Sequence, residues 1–171
     1  EELIVAGART LIRVGTCGGL QPDIRPGHLV IATAAVQNTG YGREVVPEGY
    51  PAVASAAAAL AVHSAAESTD RETHTGIVLS RDSFYPGVNV ATAPDYRVMS
   101  SANVLAVEME CAALFIVGSL RAAQTAAILA VDGNVLEATE SMDSYEPGRN
   151  IVHQAVDAAI SAALEALCNL A

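Results

Sequence analysis

The sequence predicts an α/β fold with a central, mostly parallel or mixed sheet flanked by helices. Short apolar runs typical of buried strands alternate along the chain with longer stretches of helical periodicity. Hydrophobic residues make up 51% of the 171 residues and charged residues 16%, so the chain can bury a sizeable core and lacks the composition of a disordered protein. We therefore predict a single domain over residues 1–171.

Local signals place each element along the chain. The first apolar run ends at Gly15, and the second follows the turn sequence Arg-Pro-Gly at 25–27. Pro51 suits the first turn of an Ala-rich helix, and the last helix carries apolar residues three and four positions apart. The predicted strands are 10–14, 28–36, 73–79, 104–107 and 125–131. The predicted helices are the end of one helix at 1–8, then 51–67, 93–101, 109–120 and 147–170, and the loops include 37–50, 80–93 and 134–144.

The composition argues against several functional classes. The chain has 19 acidic and 9 basic residues, a net charge of −10, and every basic residue is Arg, without the basic patch of a nucleic-acid binder. No apolar run reaches the ~18 residues of a membrane helix without a charge or a strong breaker. Cys17, Cys111 and Cys168 are widely spaced and form no C-x-x-C pair, which argues against a zinc knuckle or a disulfide framework. We expect a reduced, cytoplasmic protein that binds neither nucleic acid nor membrane.

Polar residues directly after a strand are the candidates for function, because ligands of parallel sheets bind outside the carboxyl ends of the strands. In segment 13–19, RVGTCGG, Gly15 lets backbone N–H groups approach an anion and Arg13 adds a bidentate charge. The alternative is a tight turn with an Arg neutralised by a buried carboxylate. The glycine spacing fits neither a P-loop nor a dinucleotide fingerprint. In segment 80–87, Phe84 and Tyr85 either stack on a planar ligand or fix the loop to the core through Phe84.

Acidic residues follow the next two predicted strands. Glu108 and Glu110 flank Met109 at the start of a helix, where the helix dipole favours acids by roughly 0.3–1 kcal/mol each. A functional interpretation has one of these carboxylates accept both hydroxyls of a vicinal diol. Asp132 stands at a strand end beside a Gly turn, which suits a general acid and also an Asx turn.

Together these segments resemble the nucleoside phosphorylase family, the hexameric purine nucleoside and uridine phosphorylases. The strongest parts are 76–85, GIVLSRDSFY, and 107–110, VEME, and the match covers essentially the whole chain. Segments 20–24 and 50–54 are similar to the branch that holds uridine phosphorylases and the parasite-type purine nucleoside phosphorylases. The resemblance implies a three-layer fold, a role in nucleoside salvage or catabolism, and a homo-oligomer, in the family a hexamer built as a trimer of dimers.

The resemblance also implies roles for individual residues. The implied phosphate ligands are Arg13, the backbone of Gly15, and Thr16. The implied ribose site is Met109 and Glu110, whose carboxylate would accept the 2′ and 3′ hydroxyls, with Glu108 alongside. The implied base site is Phe84, packed over the base, and Val107 as a wall. Asp132 matches the acid that protonates purine N7 in purine members, and Arg149, in the first turn of the last helix, is expected to pair with it.

The sequence departs from the family at several points. Uridine-specific members carry a Gln and an Arg after the Tyr-Pro-Gly turn, where this chain has Val88 and Val90 around Asn89. This departure favours 6-oxopurine nucleosides over uridine. His28 stands where the family usually has an acid, and the sequence gives it no role. The family's N-terminal portion, with its Gly-Asp phosphate loop, is absent, and the chain begins with Glu1 in what looks like the end of a helix. We therefore expect a piece of a longer protein.

The expected reaction is phosphorolysis of the N-glycosidic bond, in which phosphate attacks C1′ through an oxocarbenium-like state and gives free base and ribose 1-phosphate. The family mechanism implies no covalent intermediate, metal or cofactor, because phosphate is a co-substrate. The alternatives that stay open are a uridine phosphorylase, a nucleosidase of the same fold that uses water and needs no anion ligand at Arg13, and a non-enzymatic binding protein.

Overall fold

The computed structural model describes residues 1–85, 87, 88, 90–137 and 149–170. This part of the chain contains six strands and six helices, which alternate except that β2 directly follows β1. In chain order they are α1 (Glu2–Val5), β1 (Thr10–Gly19), β2 (Leu29–Asn38), α2 (Gly40–Val45), β3 (Ala52–Val53), α3 (Ala56–Glu67), β4 (Thr73–Arg81), α4 (Tyr96–Ser101), β5 (Ala106–Glu108), α5 (Cys111–Arg121), β6 (Gln124–Asn134) and α6 (Asn150–Leu170).

Five of the strands close into a ring. The strand order is β3-β2-β4-β5-β1-β6, and β2 also pairs with β6, so that β3 alone lies outside the ring. The pairs β1–β6, β2–β4 and β4–β5 are parallel, whereas β1–β5, β2–β6 and β2–β3 are antiparallel. The predicted α/β fold with a mixed sheet flanked by helices is confirmed.

Helices cover both faces of the sheet. On one face, α3 and α6 pack small side chains against alternate residues of β2 and β6, such as Ile31 and Ile128. On the other face, Phe115 and Ile116 of α5 pack against residues that include Val30 and Leu129. This alternation follows the two-residue period of strands, and it leaves most of β6 buried on both sides.

Helix α6 is long and apolar enough to cross a membrane by length and composition alone, with 33% of its most apolar window buried in the protein. Its small side chains, such as Ala155 and Ala159, pack on the sheet, and Asp157 and Glu165 lie within it. A core helix of this kind passes the same test, so the length of α6 is weak evidence for a membrane span.

The predicted element boundaries need three corrections. The segment 37–50 is not an unbroken loop, because α2 begins at Gly40. Pro51 does not start the following helix; β3 intervenes, and α3 begins after Ser55. Strand β1 continues past Val14 to Gly19, since its glycines pair with β5 and β6. The end of the loop at 134–144 and the start of the last helix at 147–148 lie partly outside the described residues.

The site residues do not meet as the sequence argument assumed. Strands β1 and β6 run opposite to β2, β4 and β5, so their carboxyl ends do not share one edge of a parallel sheet. The ends meet because the strands are staggered: Gly18 lies opposite both Val107 and Gly133, and Ser80 lies opposite Glu108. Four strand ends therefore converge on one region.

Candidate functional site

The carboxylate of Glu108, the last residue of β5, organises the centre of this region. Its side chain is fully buried. Its Oε2 accepts hydrogen bonds from the backbone N–H groups of Glu110 at 2.8 Å and Cys111 at 2.9 Å. Ser80 Oγ donates to its Oε1 and accepts from the N–H of Ala112 at 2.9 Å. Glu108 and Ser80 together satisfy the first backbone donors of α5, which a helix cannot satisfy itself.

Arg13 reaches this carboxylate from the middle of β1. Its Nε donates to Glu108 Oε2 at 3.3 Å, and its Nη2 donates to Glu110 Oε2. One fifth of the Arg13 side chain is exposed, compared with 59% of Glu110. Burial alone would lower the pKa of Arg13, but the attraction of the carboxylates of Glu110 and Glu108 outweighs it and raises the pKa. Arg13 is therefore a permanent cation with one carboxylate behind it and one at the solvent side.

Gly15 makes room for this arginine. Residues 13 and 15 lie on the same side of β1, and a Cβ built at Gly15 would stand 2.8 Å from Cζ of Arg13. The guanidinium thus lies directly over the Gly15 backbone. Thr16, the next residue, is exposed. The structure brings two of the three predicted phosphate ligands, Arg13 and Gly15, into contact. It also pairs Arg13 with a buried carboxylate, as the second sequence alternative expects.

The three residues of the predicted ribose site differ sharply in exposure. Glu110 is exposed and Met109 half-buried. Glu108 points inward, and both of its carboxylate oxygens accept hydrogen bonds from protein groups, so in this conformation its carboxylate is turned away from a ligand. Of the two acids, Glu110 is the one placed to meet a sugar.

Two thiols close to these charges are kept neutral. Cys17 and Cys111 are both buried. Burial, then the charges of Asp132 and Glu108, raise the pKa of the Cys17 thiol well above its ordinary value. Burial and Glu108 likewise raise the pKa of the Cys111 thiol. Neither thiol is available as a thiolate, which is the nucleophilic form.

Asp132 lies near the end of β6 and is half-buried. Arg149, immediately before α6, donates through Nη2 to the backbone oxygen of Asp132. The predicted contact between these two residues is therefore present, through the main chain of Asp132. Asn134 fixes the strand end, since its Nδ2 donates to the backbone oxygens of Gln21 at 2.7 Å and Ile24 at 3.1 Å.

The aromatic pair of segment 80–87 lies on the surface. Phe84 and Tyr85 are 45% and 42% exposed, and their rings meet edge to face with centroids 4.9 Å apart. The alternative in which Phe84 fixes the loop to the core is therefore wrong. Val107, the predicted base-site wall, is only 9% exposed and packs with Leu20 and Leu79. Asn89 and Pro86 lie outside the described residues.

Comparison with known proteins identifies the chain. The family model described as Phosphorylase superfamily matches residues 1–170. The chain belongs to the phosphorylase superfamily. It is 38% identical over 167 residues to a uridine phosphorylase of Treponema pallidum, covering 92% of this chain and 65% of that protein. It is 35% identical over 173 residues to a purine nucleoside phosphorylase of Plasmodium vivax, covering 100% of this chain and 68% of that protein.

A solved structure shows the same fold. Purine nucleoside phosphorylase from Toxoplasma gondii, in complex with immucillin-H, aligns over 99% of this phosphorylase-superfamily chain with a TM-score of 0.87 and 30% sequence identity. The chain covers 66% of that structure. The predicted family is thus confirmed, and the chain spans about two thirds of the length of these relatives.

A large open cleft, which the sequence did not predict, lies beside the site of this superfamily member. The cleft has a volume of about 1180 Å³ and lies where β2 and β4 end. Its polar lining includes Gln37, Asn38, Arg43, Tyr50, Arg81 and Asp82. Asp82 Oδ2 accepts from the N–H of Gly40 at 2.8 Å, which ties α2 to the end of β4. The position of Gln37, Asn38 and Arg43 at or just after the end of β2 could have marked them as candidates. The absence of helical periodicity in 37–50, however, gave no sign of helix α2.

The cleft adjoins the charged centre through β4. Arg81 in the cleft directly follows Ser80, the hydrogen-bond partner of Glu108. Val88 and Val90 line the same cleft and are 84% and 48% exposed. Part of the cleft wall is therefore apolar at the two positions where uridine-specific members are expected to carry polar side chains.

Proposed function

We propose that the protein is a nucleoside phosphorylase, which uses inorganic phosphate to cleave the N-glycosidic bond and yields free base and ribose 1-phosphate. One observation carries the proposal: a cation that cannot be neutralised, Arg13, is held between buried Glu108 and exposed Glu110. In this arrangement an anion could bind to Arg13 while a diol binds to the neighbouring Glu110. Relatives named uridine and purine nucleoside phosphorylase support it.

The ion pair between Arg13 and Glu110 would be exchanged when substrates bind. Phosphate would take the outer edge of the Arg13 guanidinium, aided by Thr16 and the Gly15 backbone, because Arg binds phosphate through two parallel N–H donors. Glu110 would then turn its oxygens to the two ribose hydroxyls, beside Met109. Glu108 would keep Arg13 in place throughout, as a positioning residue.

The chemistry needs positioning and charge rather than a protein nucleophile. Phosphate next to C1′ attacks as the bond to the base breaks, and its negative charge stabilises the oxocarbenium-like state. The high pKa values of Cys17 and Cys111 agree with a direct displacement. Phosphate is the co-substrate, and we propose no metal or cofactor for this reaction.

The leaving base would be protonated by Asp132, with Arg149 beside it and Phe84 and Val107 on the base side. Protonation at N7 is possible only for a purine, so a role for Asp132 favours 6-oxopurine nucleosides such as inosine and guanosine. The apolar Val88 and Val90 in the cleft point the same way. A uridine preference is the second candidate, favoured by the 38% identity to the Treponema pallidum uridine phosphorylase.

We also propose that the protein works in the cytoplasm as a homo-oligomer, a hexamer arranged as a trimer of dimers, as the resemblance implies. Light scattering coupled to size exclusion tests the oligomer. A protein that is monomeric at micromolar concentration would contradict the proposed oligomer.

The decisive experiment is base release from inosine, guanosine and uridine, with and without phosphate. It uses the full native polypeptide beside the 171-residue chain, since the chain spans 65% of a relative's length. We expect release that requires phosphate and forms ribose 1-phosphate in equal amount. Release independent of phosphate would identify a hydrolase, and nucleoside binding without release would identify a binding protein.

A further inference from the structure

Three side chains outside the proposed site form a compact group of metal-ligand types. They are His28, Glu72 and His74, and one ligand atom from each lies within 4.8 Å of the others. Parallel pairing of β2 and β4 holds them together: Val30 lies opposite His74, and the N–H of Leu29 donates to the backbone oxygen of Glu72 at 2.8 Å. Backbone pairing, rather than a flexible loop, thus sets their spacing.

The two imidazoles are already close to the spacing that a shared metal ion requires. His28 Nδ1 and His74 Nε2 share a hydrogen bond at 3.0 Å. A zinc ion would replace this hydrogen bond, and two ligands at about 2.05 Å from a tetrahedral zinc ion lie about 3.3 Å apart. The rings are stacked, with centroids 5.3 Å apart and planes at 18°. Each histidine side chain is 16% exposed. Little room remains for either ring to turn away.

The carboxylate closes the third side. Glu72 Oε1 lies 4.0 Å from His74 Nε2, and Glu72 Oε2 lies 3.5 Å from Nε2 of His28, the ring nitrogen that does not contact His74. An ion binds only one nitrogen of the His28 ring, and with one ligand atom from each residue the three atoms lie within 4.8 Å of one another. Because 65% of the Glu72 side chain is exposed, it can rotate the short distance needed to reach an ion. Solvent on that side would supply the remaining ligands.

The composition of the group also suits a cation. Imidazole is the commonest metal ligand in proteins, and the carboxylate of Glu72 beside the two rings favours a divalent ion.

We propose that His28, Glu72 and His74 form a binding site for a zinc-class divalent cation. Two imidazole nitrogens and one carboxylate form a donor set that zinc takes with water completing its coordination. The site is separate from the phosphorolysis centre, because His74 lies six residues before Ser80 on β4, about 20 Å at 3.3 Å per residue. Its effect would be to join the starts of β2 and β4.

The test is zinc titration of the metal-stripped protein in competition with a chromogenic chelator. His28→Gln, His74→Gln and Glu72→Gln are the variants, and His63→Gln is the matched control, since His63 also pairs with a glutamate, Glu67, at 3.5 Å. We expect one zinc ion per chain in the parent and in the control. Each ligand variant should weaken binding by more than the roughly 10–100-fold that loss of an outer partner costs.

A second readout is the visible spectrum with Co²⁺, whose band intensity reports coordination number. Intense bands in the parent that disappear in His74→Gln support the site. Glu72→Gln keeps the test valid if a histidine variant does not fold, because the Glu72 side chain is mostly in solvent. Zinc binding that is no tighter in the parent than in Glu72→Gln, or equally weakened by His63→Gln, overturns the proposal.

Discussion

Arg13 Nε and Glu108 Oε2 meet at 3.3 Å across 95 residues of sequence, one from the middle of β1 and the other from the end of β5. The same oxygen accepts the N–H groups of Glu110 and Cys111. A single buried carboxylate therefore fixes both the proposed anion ligand and the start of α5. A change in the charge of Glu108 would therefore alter both the proposed binding of phosphate and the stability of the start of α5.

The phosphate role of Arg13 is tested by Arg13→Ala and Arg13→Lys. Because a hydrogen bond to a charged group contributes about 1.5–3 kcal/mol, we expect Arg13→Ala to raise the KM for phosphate by about 10- to 100-fold. Lys should restore part of the loss, since it lacks the planar fork. Steady-state kinetics with each substrate varied separately measures the effect. An equal rise in the KM values of nucleoside and phosphate would make Arg13 a structural residue.

Substitutions of the two acids beside Met109 should have different effects, one on activity and the other on stability. Glu110→Ala removes an exposed carboxylate, so turnover should fall to background while unfolding free energy changes by less than about 1 kcal/mol. Glu108→Ala leaves buried donors of α5 unsatisfied, at about 1–3 kcal/mol each, and should lower the Tm by several degrees. Kinetics and thermal melts on both variants check this. A Glu110→Ala protein that is unstable but still active when folded would contradict the assignment.

Gly15→Ala should act through its neighbour. The added Cβ would collide with the Arg13 guanidinium, a flexible group that can move, so we expect weaker phosphate binding with little loss of stability. Gly40→Ala is the control, because a Cβ there meets Asp82 Oδ2 at an ordinary 3.7 Å. If both variants bind phosphate as the parent does, phosphate binding does not depend on the position of the guanidinium over Gly15.

Asp132→Asn keeps the shape of the side chain and removes the proton donor. Inosine phosphorolysis should fall by about 10²-fold or more, the usual scale of general-acid help, while uridine cleavage on the same variant is spared. Parallel assays of the two nucleosides provide the internal control. A parent that prefers uridine and tolerates Asp132→Asn would return Asp132 to the role of a turn residue.

Alkaline pH should destabilise the fold through Cys17 and Cys111. Their thiols stay protonated in the folded state, whereas unfolded thiols titrate near 9.0. Above that pH the unfolded state releases protons that the folded state retains, so the unfolding free energy falls with rising pH. The loss is about 1.4 kcal/mol per thiol at one pH unit above 9.0.

Urea unfolding at several pH values between neutral pH and about pH 10 measures how steeply the unfolding free energy falls with pH. The chain contains no Lys, so no lysine titrates in this range. Cys111→Ala should remove about half of this slope, and Cys168→Ala, whose thiol is exposed, should leave it unchanged. Identical slopes in both variants would contradict the prediction.

Local sequence signals predicted most strands, because β2, β4 and β6 are apolar runs bounded by turns. They did not predict strand direction: nothing near Val107 or Gly133 indicates that both lie beside Gly18 from opposing strands. Nor did local signals separate Glu108 from Glu110. Two acids separated by one residue look equivalent in sequence. The contacts that turn Glu108 inward come from Ser80, from Arg13 and from the amides at the start of α5.

The closed ring of strands has a consequence for how the protein acquires its site. Arg13 pairs along the backbone with Ala127, so strands that are neighbours in the ring come from distant parts of the chain. The fold therefore has a high contact order, which slows folding because distant segments must meet before any of their pairing is gained. Arg13, Glu108, Glu110 and Asp132 come together only when the ring closes, so we expect ligand binding to appear in the last kinetic phase of refolding.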